Sequence, residues 1–123
     1  MKKVPGSFRK FVEIYPECGM TYEALALASR EAAGFAEKDA ELLKLALAMG
    51  SRLEGAVHSH ARRALEAGAT AAEVRGVALL GLTTLGFPHT MMGTSWIEDV
   101  LRAADEAAAK TGKKSAKKAK KGK

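Results

Sequence analysis

Apolar residues recur along this chain at intervals of three and four, which is the spacing that places them on one face of an α-helix. The stretch FRKFVEIYPE has apolar side chains at positions 8, 11, 12 and 15 and predicts a short first helix that ends at Pro16. Thr21 is the candidate N-cap of a second helix ending at Gly34, and a third helix begins near Glu37. No segment shows the alternation typical of a half-buried strand, so the pattern predicts an all-α fold.

Three further helices are predicted in the second half of the chain. The segment LEGAVHSHARRALEAG ends at Gly68, a residue suited to the left-handed conformation after a helix. The sequence TAAE then reads as a capping box, with Thr70 as N-cap and Glu73 three residues later. The fifth helix is expected from Ala71 to about residue 85, and Pro88 separates it from a sixth that opens with MMGTSW. The domain is therefore predicted to contain about six helices.

The third and fifth predicted helices are apolar on more than one face. In the third, leucines stand at positions 42, 43, 45 and 47, and the fifth is nearly all apolar after Arg75. A helix of this kind must lie at the centre of a protein or be buried against another subunit. A chain of 123 residues offers little room for two central helices. The pattern therefore favours a homo-oligomer.

The positive charge of the chain is concentrated in its last segment. From Lys110 onward the sequence reads KTGKKSAKKAKKGK, with eight lysines and no acidic residue, whereas residues 1–109 hold 12 basic and 14 acidic residues. Composition of this kind predicts a helical domain over 1–109 and a disordered tail over 110–123. Such a tail can make weak, non-specific contact with nucleic acid. The alternative, favoured by the lack of interleaved aromatic residues or arginines, is a solubilising tail without a dedicated partner.

The single cysteine and the short apolar runs limit the cellular context. Cys18 has no second cysteine to pair with, so a reducing compartment fits best. The longest uncharged apolar run, GVALLGLTTLGF, is too short to span a bilayer, and MKKVPGSFRK lacks the apolar core of a secretion signal. We therefore expect a cytoplasmic protein with no membrane partner.

Candidate chemistry is concentrated in the segment RLEGAVHSH. Residues two apart on a helix point about 200° away from each other, so His58 and His60 cannot jointly bind one metal ion. Glu54 and His58, four apart, offer two ligands, but no further histidine, cysteine or aspartate completes a set; a surface pair is the simpler interpretation. The sequence therefore predicts neither a metal site nor a cofactor.

The longer segment AELLKLALAMGSRLEGAVHSHARRALEAGATAAEV resembles the carboxymuconolactone decarboxylase and alkylhydroperoxidase D-like superfamily. Members typically have an acidic residue opening an apolar helix, a Cys-x-x-Cys-x-x-x-His motif and an alanine-rich turn into GAT-x-x-E. Here Glu41 stands nineteen residues before His60, which is the family spacing, and ALEAGATAAEV and LGFPHTMMG match the segments that follow. The resemblance covers about residues 8–101, and it implies a helical fold assembled as trimers or hexamers.

The two cysteine positions of that motif are changed in this chain. Counted back from His60, they are occupied by Leu53 and Ala56, which we regard as vestigial redox positions. In a Cys-x-x-Cys pair one thiolate attacks the peroxide and the second resolves the sulfenic acid as a disulfide. Neither replacement can do this, so a peroxiredoxin label taken from the family would not describe the chemistry, unless Cys18 acts with an outside thiol.

An acid–base pair without a nucleophile is what remains. The resemblance implies that Glu41 and His60 form a proton relay and that the lactone decarboxylase branch works by proton transfer, without a cofactor, on a small carboxylated lactone. We predict His60 and Glu41 as the catalytic residues, since a histidine can take up and release a proton near neutral pH. Arg52, with Arg62 as an alternative, is the candidate for binding a substrate carboxylate. His58 and His89 are the other substrate-binding candidates, although a surface pair and a turn would also account for them.

A second hypothesis is a non-catalytic oligomer of the same family that binds a small molecule or has only a structural role. In that case His60 satisfies a backbone carbonyl, and the surroundings of Leu53 and Ala56 are dry and filled. The enzyme hypothesis instead predicts a polar pocket that joins Glu41 to His60, with a basic group nearby.

Overall fold

A computed structural model describes residues 6–122, which form six α-helices and one short 3-10 helix. Within these residues no strand occurs, so the all-α prediction is confirmed. In chain order the helices are α1 Gly6–Ile14, α2 Pro16–Ala33, α3 Glu37–Gly50, α4 Glu54–Glu66, α5 Ala71–Leu80, the 3-10 helix Gly81–Thr83 and α6 Phe87–Lys121.

The core lies among α3, α4, α5 and the first half of α6. Helix α4 packs against α3 on one side and against α6 on the other, while α5 packs against α6 and α3. Alanines on these helices allow close approach, and larger apolar side chains fill the space between them. The largest fully buried apolar residues are Leu45, Met49, Val57, Val74 and Ile97.

Two glycines provide the space in which Met49 packs. A Cβ atom added to Gly81 would lie 2.8 Å from the Met49 Cε atom, and one added to Gly93 would overlap the Met49 sulfur. The end of α3 therefore packs directly against the 3-10 helix and against α6. This contact fixes the position of the α3–α4 connection relative to the rest of the core.

Helix α2 begins earlier than the sequence pattern predicted. Pro16 is its first residue, and Thr21 lies inside the helix, where its hydroxyl donates to the Glu17 carbonyl at 2.8 Å. The prediction that Thr21 caps this helix was therefore wrong. Proline is well suited to the first helical position because the N–H that it lacks would have no partner there. The same residue thus follows α1 and starts α2.

The helix boundaries around α5 and α6 were predicted in part. The Glu73 backbone N–H donates to Thr70 Oγ1 at 3.0 Å, which confirms Thr70 as the N-cap. Helix α5 ends at Leu80, earlier than expected. Pro88 lies in the first turn of α6, which begins at Phe87, before the predicted start. As with Pro16, the proline marks the beginning of a helix.

The lysine-rich segment is helical where disorder was predicted. Helix α6 continues without interruption to Lys121, although all of its residues from Arg102 onward are exposed. Extending a helix that is already packed avoids the unfavourable nucleation step, and alanine and lysine both have high helix propensity. Lysines in the last turn also interact favourably with the helix dipole. These local effects outweigh the repulsion between the charges.

Helices α3 and α4 end in the same backbone motif, but with different residues at its left-handed position. After α3, the Arg52 N–H donates to the Met49 carbonyl and the Leu53 N–H to the Ala48 carbonyl. After α4, Gly68 and Ala69 make the equivalent bonds to Leu65 and Ala64. Both are Schellman motifs, in which glycine is the usual left-handed residue. The chain has Gly68 at φ 98° in one and Arg52 at φ 57° in the other.

We expect the Arg52→Gly variant to be more stable than the native chain, by up to about 1 kcal/mol, because a left-handed conformation is unfavourable for a residue with a Cβ atom. Urea denaturation measures this difference. The matched reverse change, Gly68→Arg, should destabilise by a similar amount, since no other atom would lie within 4 Å of the new Cβ. If Arg52→Gly is less stable than the native chain, the interactions of the arginine side chain stabilise the fold by more than its left-handed backbone conformation destabilises it.

Candidate active site

The Glu41 side chain is fully buried, and each of its two oxygens has a charged or polar partner. Oε1 accepts a hydrogen bond from Arg30 Nη2 at 2.8 Å, and Oε2 lies 2.8 Å from His60 Nδ1. Arg30 lies on α2, Glu41 on α3 and His60 on α4. The family resemblance implied the pairing of Glu41 with His60, and the structure brings these two side chains into direct contact.

The short connection between α2 and α3 explains how Arg30 reaches Glu41. Arg30 lies one turn before the end of α2, where its carbonyl accepts from the N–H of Gly34. Gly34 adopts a positive φ of 75° and reverses the chain. Glu41 lies one turn after the start of α3, so both side chains lie close to the connection formed by residues 34–36. The connection thereby brings a guanidinium beside the carboxylate.

The surroundings of Glu41 keep it ionised at neutral pH. Burial by itself raises the pKa of the Glu41 carboxyl, but the hydrogen bond from His60 and the charges of His60, Arg30 and Arg63 outweigh it. The pKa of Glu41 consequently lies below its ordinary value of 4.5. An ionised carboxylate can only accept hydrogen bonds, so the proton between the two side chains belongs to His60 Nδ1.

This arrangement leaves His60 Nε2 as the atom available for chemistry. Among residues 6–122 it has no hydrogen-bond partner, and the His60 side chain is 19% exposed. The neutral imidazole can take up a proton at Nε2 and release it again, while the bond to Glu41 fixes the ring orientation. Glu41 itself is held by two partners, so it orients the histidine and does not act as a free base.

Arg30 is the member of this cluster that sequence reasoning missed. A fully buried carboxylate needs a compensating charge, and that requirement was the available signal. The sequence alone could not reveal this requirement, because the helical pattern placed Glu41 in a first turn and did not show that its side chain is buried. Arg30, the last cation before the turn at Gly34, would then have been the natural candidate for the partner.

His58 lies in a different part of the structure, as the predicted 200° separation from His60 implies. Its Nε2 atom is 3.8 Å from Asp99 Oδ2. Together with Arg62 it lines a groove between α4 and α6. His58 therefore belongs to the face of α4 that packs on α6, where it lies near Asp99, whereas His60 belongs to the face that packs on α3.

Arg52 and His89, two of the predicted substrate-binding residues, meet at the end of α3. His89 Nε2 lies 2.6 Å from the Met49 carbonyl oxygen, which also accepts the Arg52 backbone N–H at 3.1 Å. His89 Nε2 thus donates to a helix-terminal carbonyl, which gives this residue a structural role. The Arg52 side chain is exposed. Its guanidinium remains available to an anion.

The vestigial redox positions lie at the start of α4. Leu53 is the N-cap residue and is 55% exposed, and Ala56 is half-buried in the first turn. A helix N-terminus is a place where a thiolate would be stabilised, but neither residue carries a thiol. Cys18 is exposed on α2. It lines a shallow hollow of its own, together with Tyr22 and other residues of α2.

Neither the hollow beside Cys18 nor the groove beside His58 is lined by Glu41 or His60. Over the described residues, no group of three or more His, Cys, Asp or Glu side chains is placed to hold a metal ion. The same part of the chain contains no helix long and apolar enough to cross a membrane. The absence of a cofactor stays a prediction.

Comparison with known proteins identifies one family. The model of the carboxymuconolactone decarboxylase family matches residues 16–99, from the first residue of α2 into the middle of α6. The matched range includes Arg30, Glu41 and His60. No curated protein and no solved structure matches the chain.

Proposed function

Because the chain belongs to the carboxymuconolactone decarboxylase family, we propose that it is a cofactor-free acid–base catalyst acting on a small carboxylated lactone or a related carbonyl compound. In this proposal His60 transfers the proton through Nε2, Glu41 orients the imidazole and Arg30 holds the carboxylate of Glu41. The observation that carries the proposal is the buried Glu41 carboxylate, whose two oxygens are engaged while His60 Nε2 stays free.

The proposed reaction needs a proton donor at carbon and no redox step. The bond between the substrate carbon and its carboxylate breaks, carbon dioxide leaves, and the electron pair moves into the conjugated lactone carbonyl. His60, protonated on both nitrogens, then delivers the Nε2 proton to carbon and regains one from water. Substrate carboxylate and one proton thus yield the decarboxylated lactone and carbon dioxide. Glu41 supports the cationic imidazole during this cycle because its negative charge lies 2.8 Å away.

Arg52 is the residue that we favour for binding the substrate carboxylate. Arg30 is already engaged by Glu41, and His58 lies on the face of α4 that packs against α6. Arg52 adopts the left-handed conformation at a position where glycine is usual. Backbone strain of this kind is concentrated at functional sites. The exposed guanidinium supports the assignment, since it can form two parallel hydrogen bonds to a carboxylate.

Self-association is part of the proposal. The isolated chain exposes many large apolar side chains, more than a soluble monomer normally does. We favour a second copy of the chain as the partner that covers these side chains, because they are spread over several helices and the fold offers no alternative core for them. Among the most exposed are Met20, Leu25, Leu47, Leu79, Leu80 and Phe87. The proposed state is a homo-oligomer, a trimer or a hexamer.

The alternative function is a non-catalytic oligomer that binds a small molecule or has a structural role. One observation favours it: two surface hollows among the described residues, beside Cys18 and beside His58, are lined by neither Glu41 nor His60. The exposed Leu53 does not fit the filled, dry site expected for this alternative. Thiol peroxidase activity is not part of either proposal, because Leu53 and Ala56 replace the cysteines.

A ligand panel tests the proposed function. We expect a small carboxylated lactone or keto acid to raise the melting temperature of the native protein, because a ligand that binds only the folded state stabilises it. Hydroperoxides should produce no shift. The His60→Ala variant should lose the response to the stabilising compound, whereas His58→Ala, altered two residues away on the opposite face, should keep it.

Differential scanning fluorimetry of the three proteins with each compound provides the measurement, and circular dichroism checks that the variants are folded. Binding that survives His60→Ala but is lost in His58→Ala would place the ligand in the α4–α6 groove and contradict the proposal. Stabilisation of the native protein without turnover of any bound compound would support the non-catalytic alternative.

A further inference from the structure

The lysines of the last segment lie on one side of α6. Seven lysines fall between Lys110 and Lys121, all within the helix. At 100° per residue they occupy an arc of about 160°, with roughly two lysines in each turn. We call this surface the lysine face; it consists of Lys110, Lys113, Lys114, Lys117, Lys118, Lys120 and Lys121.

The opposite side of the same helical segment carries only small, uncharged residues, namely Thr111, Gly112, Ser115, Ala116, Ala119 and Gly122. Helices that lie on a membrane surface need large apolar side chains opposite their basic face. Single-stranded nucleic acids are usually held by aromatic side chains stacking on the bases, and no aromatic residue follows Trp96. The surface is therefore suited to a polyanion whose charges match the arrangement of the lysines, without stacking or apolar contacts.

The dimensions of the segment match one polyanion in particular. From Lys110 to Lys121 the helix is about 18 Å long, and with its side chains it is about 10–12 Å wide. The major groove of B-form DNA, about 12 Å wide, admits an α-helix, whereas the deep and narrow major groove of A-form RNA does not. The segment is also free of the body of the protein, because every residue of α6 from Arg102 to Lys121 is exposed.

We propose that the lysine face of α6 binds the phosphates of duplex DNA without reading its sequence. The segment contains no arginine, asparagine or glutamine, the side chains that make most base-specific contacts. Neighbouring lysines repel one another in the free helix, and phosphates remove this repulsion. Binding to DNA therefore stabilises the helical form of the segment. This function is independent of the Glu41–His60 site.

Fluorescence anisotropy of a short labelled duplex of mixed sequence tests the proposal on the full chain. If about four phosphates are contacted, the association constant should fall roughly 100-fold between about 50 and 200 mM salt. A variant with Lys113, Lys114, Lys117 and Lys118 changed to Gln should lose nearly all binding, while its melting temperature stays the same because these side chains are exposed. A second duplex of unrelated sequence should bind equally well.

A redistributed variant separates the lysine face from total charge. The paired exchanges K114A/A116K and K118A/A119K preserve composition and net charge but move two lysines to the opposite side of the helix. We expect this variant to bind duplex DNA several-fold more weakly than the native chain. Equal binding by the two proteins would overturn the proposal, since charge alone would then suffice. Absence of DNA binding, or tighter binding to vesicles of anionic lipid than to DNA, would overturn it as well.

Discussion

Replacing Arg30 by methionine is expected to lower the free energy of unfolding by about 3 kcal/mol at neutral pH. The substitution retains most of the apolar volume but removes the hydrogen bond to Glu41 Oε1 at 2.8 Å. The fully buried carboxylate is then left with His60 as its only direct partner. Breaking a buried ion pair from one side typically costs 3–5 kcal/mol, and partial exposure of Arg30 places this case near the lower end. Urea denaturation of native and variant proteins measures the difference.

The same substitution at a surface pair provides the control. Arg75 makes two hydrogen bonds to Glu98, at 2.6 and 3.1 Å, but its side chain is 54% exposed. Exposed pairs contribute at most about 1 kcal/mol, so Arg75→Met should cost much less than Arg30→Met. The double variant Arg30→Met with Glu41→Gln should recover part of the lost stability, because no buried charge remains unpaired. Equal effects of the two single substitutions would show that burial of Glu41 does not determine the stability of the cluster.

The pH dependence of stability follows from the sign of the shift at Glu41. The pKa of this carboxyl in the folded protein lies below its ordinary value of 4.5, so the ionised form stabilises the fold. This contribution is complete above the ordinary pKa and is lost as the pH falls through the lowered one. The stability of Arg30→Met should therefore approach that of the native protein in acid, where the native chain loses its advantage. Glu41→Gln, which has no carboxyl to titrate at this position, should show a flatter stability curve below about pH 4.5.

Local sequence rules predicted the parts of the fold that depend on local chemistry. Gly34 and Gly68 end helices at positive φ, and Thr70 caps α5 through its hydroxyl, as expected from residue type alone. The prolines were interpreted only as helix ends. Helix α1 does end just before Pro16, but Pro16 also starts α2, and Pro88 lies in the first turn of α6, because proline is compatible with both positions. Arg52 shows another limit: its left-handed conformation is imposed by the packing of the α3–α4 connection, and the residue itself does not favour it.

The candidate site was predictable only as far as its spacing could be read. The resemblance to the family, through its nineteen-residue spacing, pointed to Glu41 and His60, and the helical period correctly separated His60 from His58. Which nitrogen of His60 is free, and which cation neutralises Glu41, depend on burial and on contact between helices distant from the motif. Those properties arise because α2 and α4 each place one side chain against Glu41 of α3. A sequence pattern within one helix contains no information on them.

Once a substrate is identified, His60→Gln is expected to lower kcat/KM for it by about 100- to 10,000-fold, the usual range for loss of a general acid or base. Glutamine retains a hydrogen-bonding side chain of similar size but cannot transfer a proton. Glu41→Gln should cause a smaller loss, mainly in kcat, because the amide can still accept from His60 Nδ1 but no longer offsets the charge of a protonated ring. Steady-state kinetics of the purified variants provides both parameters.

His58→Gln is the matched comparison, since it makes the same chemical change two residues away, on the face of α4 beside Asp99. It should leave kcat/KM nearly unchanged. If His60 has only a structural role, the activity of His60→Gln should fall in proportion to the fraction of protein that is folded. Conditions that restore folding should then restore the rate. If instead His58→Gln abolishes turnover while His60→Gln retains it, catalysis belongs to the groove between α4 and α6. The Arg30–Glu41–His60 cluster would then have a structural role only, in which it holds α2, α3 and α4 together.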